Sequence, residues 1–288
     1  MSQIPGMPEN GPRQTPKGFH SFNAEINAEK LRARSETFSD HYSQARQFYI
    51  SQTDIEQNHV ADALVFELSK VETVKIRERM VSHLLNIDNE LANKVAKNLG
   101  FKEMPKAAES KKPTRNDLKK SAALSILQNG PKNFKGRKLG IFLTDAADSG
   151  IFQNLKETAD SEGVTVEIIA STIGGVKMND GQLVLANHKI DGGSSVLFDA
   201  VVLLFSKEGA KNLLGESAAR DFVSDAFSHL KYIGYSEAAK ALMQKAGIEN
   251  LDEACLPLDN DVQAKSFFKN LGNLRYWKRE AKVKAGLS

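Results

Sequence analysis

Ser236 and Glu237 stand side by side at the end of an apolar run, a hydroxyl and a carboxylate in the order a nucleophile and its base would take. A hydroxyl nucleophile needs a base that is itself held in place by a third group, and the sequence offers no third group. A plain helix N-cap, with Ser236 at the cap and Glu237 in the first turn, accounts for both residue types. Asp145 and Asp148 sit in Thr144-Asp145-Ala146-Ala147-Asp148-Ser149-Gly150. Two carboxylates there suit a hard cation and repel a phosphate, so nucleotide or flavin binding is disfavoured; capping of the following helix by one of them is the simpler reading. Gly192-Gly193-Ser194-Ser195 is Gly-rich but lacks the lysine and the spacing of a phosphate loop. It reads as a loop.

The six histidines, His20, His41, His59, His83, His188 and His229, are scattered, and no pair has the spacing of metal ligands. Cys255 lies among Glu253, Pro257 and Asp259, and nearby negative charge raises a thiol pKa and blunts it. From the residues alone, no catalytic, cofactor-binding or metal site is assigned.

These positions belong to a chain of 288 residues, enough for about two domains. Its 39 basic residues are interspersed with 36 acidic ones, which argues against the clustered positive face of a nucleic-acid binder. No apolar run approaches the length of a membrane span. The start, MSQIPGMPENGPRQTPKG, has no apolar core of a secretory signal. A single cysteine forms no internal disulfide, and a cytoplasmic setting is expected.

Four prolines and almost nothing apolar in residues 1–17 predict a mobile arm, continued by an extended stretch to 37. A short helix is predicted over 40–51. Thr53-Asp54-Ile55-Glu56 has capping-box spacing, and Val60, Leu64, Leu68 and Val71 then form one helical stripe. A second stripe, Ile76, Met80, Leu84 and Ile87, marks a helix over 74–87. Asp88 caps a third helix with Leu91, Val95 and Leu99 aligned and Gly100 at its end. Residues 102–136, with six lysines between 102 and 120, have the composition of a linker, interrupted by a short helix near 118–127. From 137 onward strand and helix alternate: strands at 139–143, 164–170, 200–205 and 232–235, with 200–205 central. Asn179-Asp180-Gly181 makes a hairpin turn in which Asp-Gly supplies positive φ. Phe222, Val223, Ala226, Phe227 and Leu230 mark one helix, and a closing helix spans about 262–274. No internal repeat is present. The alternation predicts a doubly wound parallel sheet, so the fold class is α+β overall: a helical segment of three to four helices, then an α/β domain.

Tyr42-Ser43-Gln44-Ala45-Arg46, Phe48-Tyr49, Ser51-Gln52-Thr53, Phe66-Glu67-Leu68-Ser69-Lys70-Val71 and Ile76-Arg77-Glu78-Arg79 follow one another in a specific order. That series closely resembles the helical segment behind the haem-binding barrel of haem catalases. The likeness covers about 17–101 and, more loosely, 137–280, which resembles the extra C-terminal domain of large-subunit catalases. Arg275-Tyr276-Trp277-Lys278-Arg279 looks like that family's closing aromatic-Trp-basic run. The resemblance divides the chain into an arm (1–37), a catalase-type helical segment (38–101), a Lys-rich linker (102–136) and a flavodoxin-like domain (137–288).

The resemblance also implies a parent activity, disproportionation of hydrogen peroxide to water and oxygen in oxidative-stress defence. That chemistry uses a distal His and Asn above the haem and a Tyr phenolate below it, on an Arg-x-Phe-x-Tyr-x-Asp-Thr helix. This sequence contains no such run, and the barrel is missing. The chain itself is therefore expected to hold no haem and turn over no peroxide, and to act as scaffold. Its expected partners are further copies of itself or a separately encoded catalase barrel chain; nucleic acid and membrane are not expected. The last domain also resembles the class I glutamine amidotransferase superfamily, whose Cys–His pair is missing at the turn Gly234-Tyr235-Ser236-Glu237. A stand-alone stress-response domain with hydrolase or chaperone-like activity, and a non-functional truncated catalase, stay open as alternatives.

Overall fold

The computed structural model describes residues 21–286. The mobile-arm prediction for 1–17 and His20 lie outside the described residues. Residues 21–35 have no regular structure, and a 3-10 turn, Glu36–Ser39, leads into the helical segment.

Four helices follow: α1 (Ser43–Ser51), α2 (Asp54–Ser69), α3 (Val74–Leu84) and α4 (Asn89–Asn98). The capping box forms as the spacing predicts, with Thr53 N–H donating to Glu56 at 2.9 Å and Glu56 N–H donating to the Thr53 hydroxyl at 3.4 Å. Asp88 caps α4 through Glu90 and Leu91 N–H. Gly100 ends it at φ +80°, with Phe101 N–H returning to Ala96 and Gly100 N–H to Lys97. Only a residue without Cβ takes that left-handed position cheaply. Tyr49, Ala61, Leu68, Val81, Leu84, Leu91, Val95 and Ala96 form the core of this segment. Of the stripe expected on α3, Leu84 is buried and Met80 and Ile87 pack against the core, joined by buried Val81, while Ile76 is exposed. Phe48, Phe66, Val74 and Ile76 remain largely exposed, Phe66 to 62%.

Residues 102–136 contain little regular structure, yet they are tied along the helices. Ala108 N–H donates to Ser82 O, Thr114 Oγ1 to Asn86 O, Arg115 N–H to Ser43 Oγ, Ser121 N–H to Ser51 Oγ, and Gln52 Nε2 to Leu124 O. Glu56 then takes both the Ser125 hydroxyl at 2.7 Å and Leu127 N–H at 3.1 Å. The segment lies on the helices as a strap. The helix expected near 118–127 is only a 3-10 turn, Ala122–Leu124, and one turn of helix, α5 (Ile126–Asn129). Backbone groups satisfied by α1 and α2 leave little for a longer helix to gain.

The remainder is β1 (Lys138–Leu143), α6 (Ser149–Glu162), β2 (Thr165–Ala170), the hairpin β3 (Val176–Lys177) and β4 (Leu183–Val184), and β5 (His188–Lys189). Then come β6 (Ala200–Leu204), α7 (Lys207–Leu213), α8 (Ser217–Ser228), β7 (Ile233–Tyr235), α9 (Lys240–Lys245), β8 (Cys255–Pro257), α10 (Asp261–Leu271) and α11 (Glu280–Lys284). Six parallel strands form one sheet in the order β5-β2-β1-β6-β7-β8. Omitting the two-residue edge β5, the order is the 2-1-3-4-5 of flavodoxin-like folds. Leu139, Ile141 and Leu143 of β1 face α6 and α10, while Phe142 faces α8, so both sheet faces are covered. That is why β1 and β6 read as continuous apolar runs.

In the hairpin turn only Gly181 has positive φ, +89°; Asp180 does not. Gly181 N–H bonds Met178 O and Met178 N–H bonds Gln182 O, so the turn holds three residues and needs one left-handed position. The closing helix stops at Leu271, and Leu274 at φ +64° turns the chain back toward the sheet.

Candidate functional site

Ligands of doubly wound folds bind at the carboxyl ends of the strands, where the strand order reverses. Here that point lies between β1 and β6, and side chains fill it. Ser206 N–H donates to Thr144 Oγ1 at 2.9 Å, and Gly209 lies so close to Thr144 that a Cβ there would strike its side chain. Asp148 Oδ1 accepts Ile151 N–H at 2.9 Å and caps α6 as expected. Asp145 does not cap it; its Oδ1 accepts Lys177 N–H of β3 at 2.8 Å. Asn179 from the hairpin turn takes Ser149 N–H at 3.0 Å. The two carboxylates thus serve separate backbone groups and do not converge on a cation.

Ser236 follows β7 with φ −77° and ψ 154°, an unstrained extended backbone rather than a strained elbow. Its hydroxyl accepts from Phe205 N–H at 2.9 Å and donates to Phe205 O at 3.1 Å. The capping expectation is corrected on this point: Ser236 occupies the N-cap position of the turn Glu237–Ala239 but makes no side-chain cap bond. Phe205, just past the end of β6, would otherwise leave backbone groups unpaired. Glu237 pairs with Lys240 at 2.8 Å in solvent. Serine and glutamate therefore have separate partners, and no nucleophile–base pair exists between them.

The described histidines are likewise dispersed. His83 Nδ1 is 2.8 Å from Tyr42 Oη, His188 Nε2 is 2.7 Å from Glu167, which also holds Lys138, and His229 Nδ1 meets Asp225 O. His59 faces Glu280 at 2.7 Å, and His41 stands edge-on to Tyr42. Among the described residues no three His, Cys, Asp or Glu side chains group as a metal site. Burial, before any charge, pushes the Cys255 thiol up to about 12. Arg279 opposes the shift and Asp252 adds to it, so the neighbours differ from the Glu253 and Asp259 expected from the sequence.

Two buried cations were not legible. Lys231 donates to Ser195 O and to Phe198 O, the latter at 2.7 Å, and holds the 3-10 turn Ser195–Leu197 that follows the Gly-rich loop. Burial, then the Arg275 charge, push it down to about 8. Arg279 sits between Asp252 and the carbonyls of Phe227 and Lys231, with Phe227 beneath its guanidinium at 4.1 Å. The signals in the sequence were Lys231 beside the apolar run of β7 and Arg279 in the closing aromatic-Trp-basic run, neither of which marks burial.

A haem needs an apolar slot and an axial ligand. One cleft of about 690 Å³ is lined by polar groups, among them Arg46, Asn86, Asp88, Glu90, Ser110 and Thr114. A second cavity of about 180 Å³ lies between Phe227, Ile248 and Val283. Neither presents a tyrosine, histidine or cysteine to an iron. Neither of these two cavities fits a haem.

No helix among the described residues is long and apolar enough to cross a membrane.

Comparison with known proteins places both halves of the chain. The family model "Catalase-related immune-responsive" matches residues 35–99, and "C-terminal domain found in long catalases" matches residues 135–281. "Catalase C" of Rhizobium meliloti (strain 1021) is 54% identical over 276 residues, covering 95% of this chain and 39% of that protein. "Catalase HPII" of Pseudomonas putida is 33% identical over 281 residues, with shares of 95% and 39%. "Catalase-B" of Dictyostelium discoideum is 33% identical over 271 residues, with shares of 92% and 38%. The chain thus spans about 39% of the length of the curated relatives it matches, and each carries the matched region within one longer polypeptide. Helical segment and sheet domain match in the same order in which they fold, and this chain belongs to the catalase family as the C-terminal region that long catalases carry.

Proposed function

We propose that this region serves a haem catalase as scaffold, supporting subunit packing, while the peroxide chemistry takes place on residues elsewhere in the parent protein. One observation carries this reading. The candidate side chains at the carboxyl ends of the strands are engaged in holding the fold: Ser236 to Phe205, Asp148 to α6, Asp145 to the hairpin. The exposed apolar residues on α1 to α3 give a surface on which the rest of the parent chain or a second copy packs. The relatives carry their matching region in a single polypeptide, which favours covalent continuity over a separately encoded barrel chain. The assembly is a homo-oligomer working in the cytoplasm, where the buried Cys255 thiol stays reduced.

The test has two arms. Titrating the purified chain with hemin is expected to give no Soret band of a ligated haem, and adding peroxide is expected to release no oxygen. A tyrosinate-type spectrum with gas evolution would refute the scaffold reading. Removing this region from a full-length long catalase is expected to change the oligomer seen by sedimentation; an unchanged oligomer with unchanged turnover would also count against it.

A further inference from the structure

The aromatic-Trp-basic run near the end of the chain faces two ways. On one side it is rooted in the sheet domain. Arg279 is bidentate to Asp252, Tyr276 N–H donates to Leu230 O at 2.8 Å, and Arg275 Nη1 donates to Asp199 O at 3.0 Å. On the other side it meets α2 of the helical segment. His59 Nε2 is 2.7 Å from Glu280, and Lys284 Nζ is 2.7 Å from Asp62 and 3.2 Å from Glu280. The His59 ring packs on the Trp277 indole with centroids 5.2 Å apart. His59 and Asp62 lie one turn apart on α2, as do Glu280 and Lys284 on α11, so four side chains of alternating charge interlock.

We propose that residues 276–284 are a clasp fastening the helical segment to the sheet domain through this polar square. Small polar interfaces within a chain permit the parts to move, and half-exposed ion pairs weaken with salt. The groups facing His59 are Glu280 of α11 and Trp277 of the turn before it, with Lys284 and Asp62 completing the charge; Lys94 of α4, bonded to Asn58, lies next along α2.

Trp277 is the sole tryptophan of the sequence, so its fluorescence reports the clasp. In the full chain, Asp62→Lys and Lys284→Asp are each expected to raise acrylamide quenching of Trp277 about two-fold with far-UV circular dichroism unchanged. The double exchange is expected to restore the wild-type value. His59→Ala is expected to raise quenching in the same direction, by removing the contacts to Glu280 and Trp277. Quenching insensitive to both single exchanges, or a double exchange no better than the singles, overturns the clasp.

Discussion

Arg279 grips Asp252 with two parallel hydrogen bonds, Nε to Oδ2 at 2.6 Å and Nη2 to Oδ1 at 2.8 Å, in a pair shielded from water on both sides. The guanidinium is wholly buried, and its remaining Nη1 hydrogens go to the carbonyls of Phe227 and Lys231. A fork matched to a carboxylate is what Arg offers and Lys does not. The pair joins the loop before β8 to the end of α8 and fixes the last segment of the chain on the sheet.

Breaking one partner of a buried, hydrogen-bonded pair costs about 3–5 kcal/mol, because the other charge is left uncompensated. Arg279→Met is therefore expected to lower unfolding stability by that amount in urea titrations, and Arg279→Lys by somewhat less. Adding Asp252→Ala to Arg279→Met should recover part of the loss, since an apolar replacement of both partners removes the stranded charge. A single-variant loss under about 1 kcal/mol would show that water reaches the pair.

Glu56 carries a pH dependence of the opposite chain end. Burial raises its pKa, but the Thr53 N–H, the Ser125 hydroxyl, the Leu127 N–H and the Thr53 hydroxyl together hold it at about 2, against an ordinary 4.5. A depressed carboxylate contributes stability that is present above the ordinary value and lost as pH falls through the folded one. The helical segment should lose up to about 3 kcal/mol between roughly pH 4.5 and 2. Glu56→Gln should remove that slope and speed trypsin cleavage at the lysines of the strap. Acid unfolding identical in Glu56→Gln and wild type would contradict this.

Lys231 works in the alkaline range with the same sign of slope. Its folded value of about 8 lies below the ordinary 10.5, so the unfolded chain binds more protons between those values. This group makes stability rise with pH across that window. Lys231→Met is expected to flatten that rise in guanidinium titrations at about pH 8 and 10. An equal slope in the variant would mean that the ammonium is solvated.

Cys255 should resist a thiol reagent in the native protein at pH 8, because its thiol is buried and raised to about 12. One equivalent should react once denaturant opens the domain. Fast native labelling would place the thiol at the surface.

Gly175 stands at φ +83°, and a Cβ there would strike the Val184 carbonyl. Gly175→Ala is expected to cost at least about 2 kcal/mol and to raise hydrogen exchange of the β3–β4 amides. Unchanged exchange would show that the hairpin can shift to admit a methyl group.

Some of this was open to reading in the sequence because it rests on local chemistry. The Thr53–Glu56 box, the Asp88 cap and Gly100 are satisfied within a few residues of themselves. The continuous apolar runs of β1 and β6 announce strands covered on both faces. The ordered series from Tyr42 to Arg79, and the closing run at Arg275, disclosed the family.

The rest depends on partners far apart in the chain, which meet only once the domains pack. The strands β5 and β8 are two and three residues long, too short for any periodicity, and exist because β2 and β7 offer them an edge. Ser236 gave up its cap for Phe205, 31 residues away, because a backbone end beside it needed closing. Glu56 reaches the strap about 70 residues on, and His59 meets Glu280 at a separation of 221. A hydroxyl or a carboxylate has its place along the chain from the sequence; which group each one faces is set by packing, and here packing turned Ser236, Asp145 and Asp148 toward the fold itself.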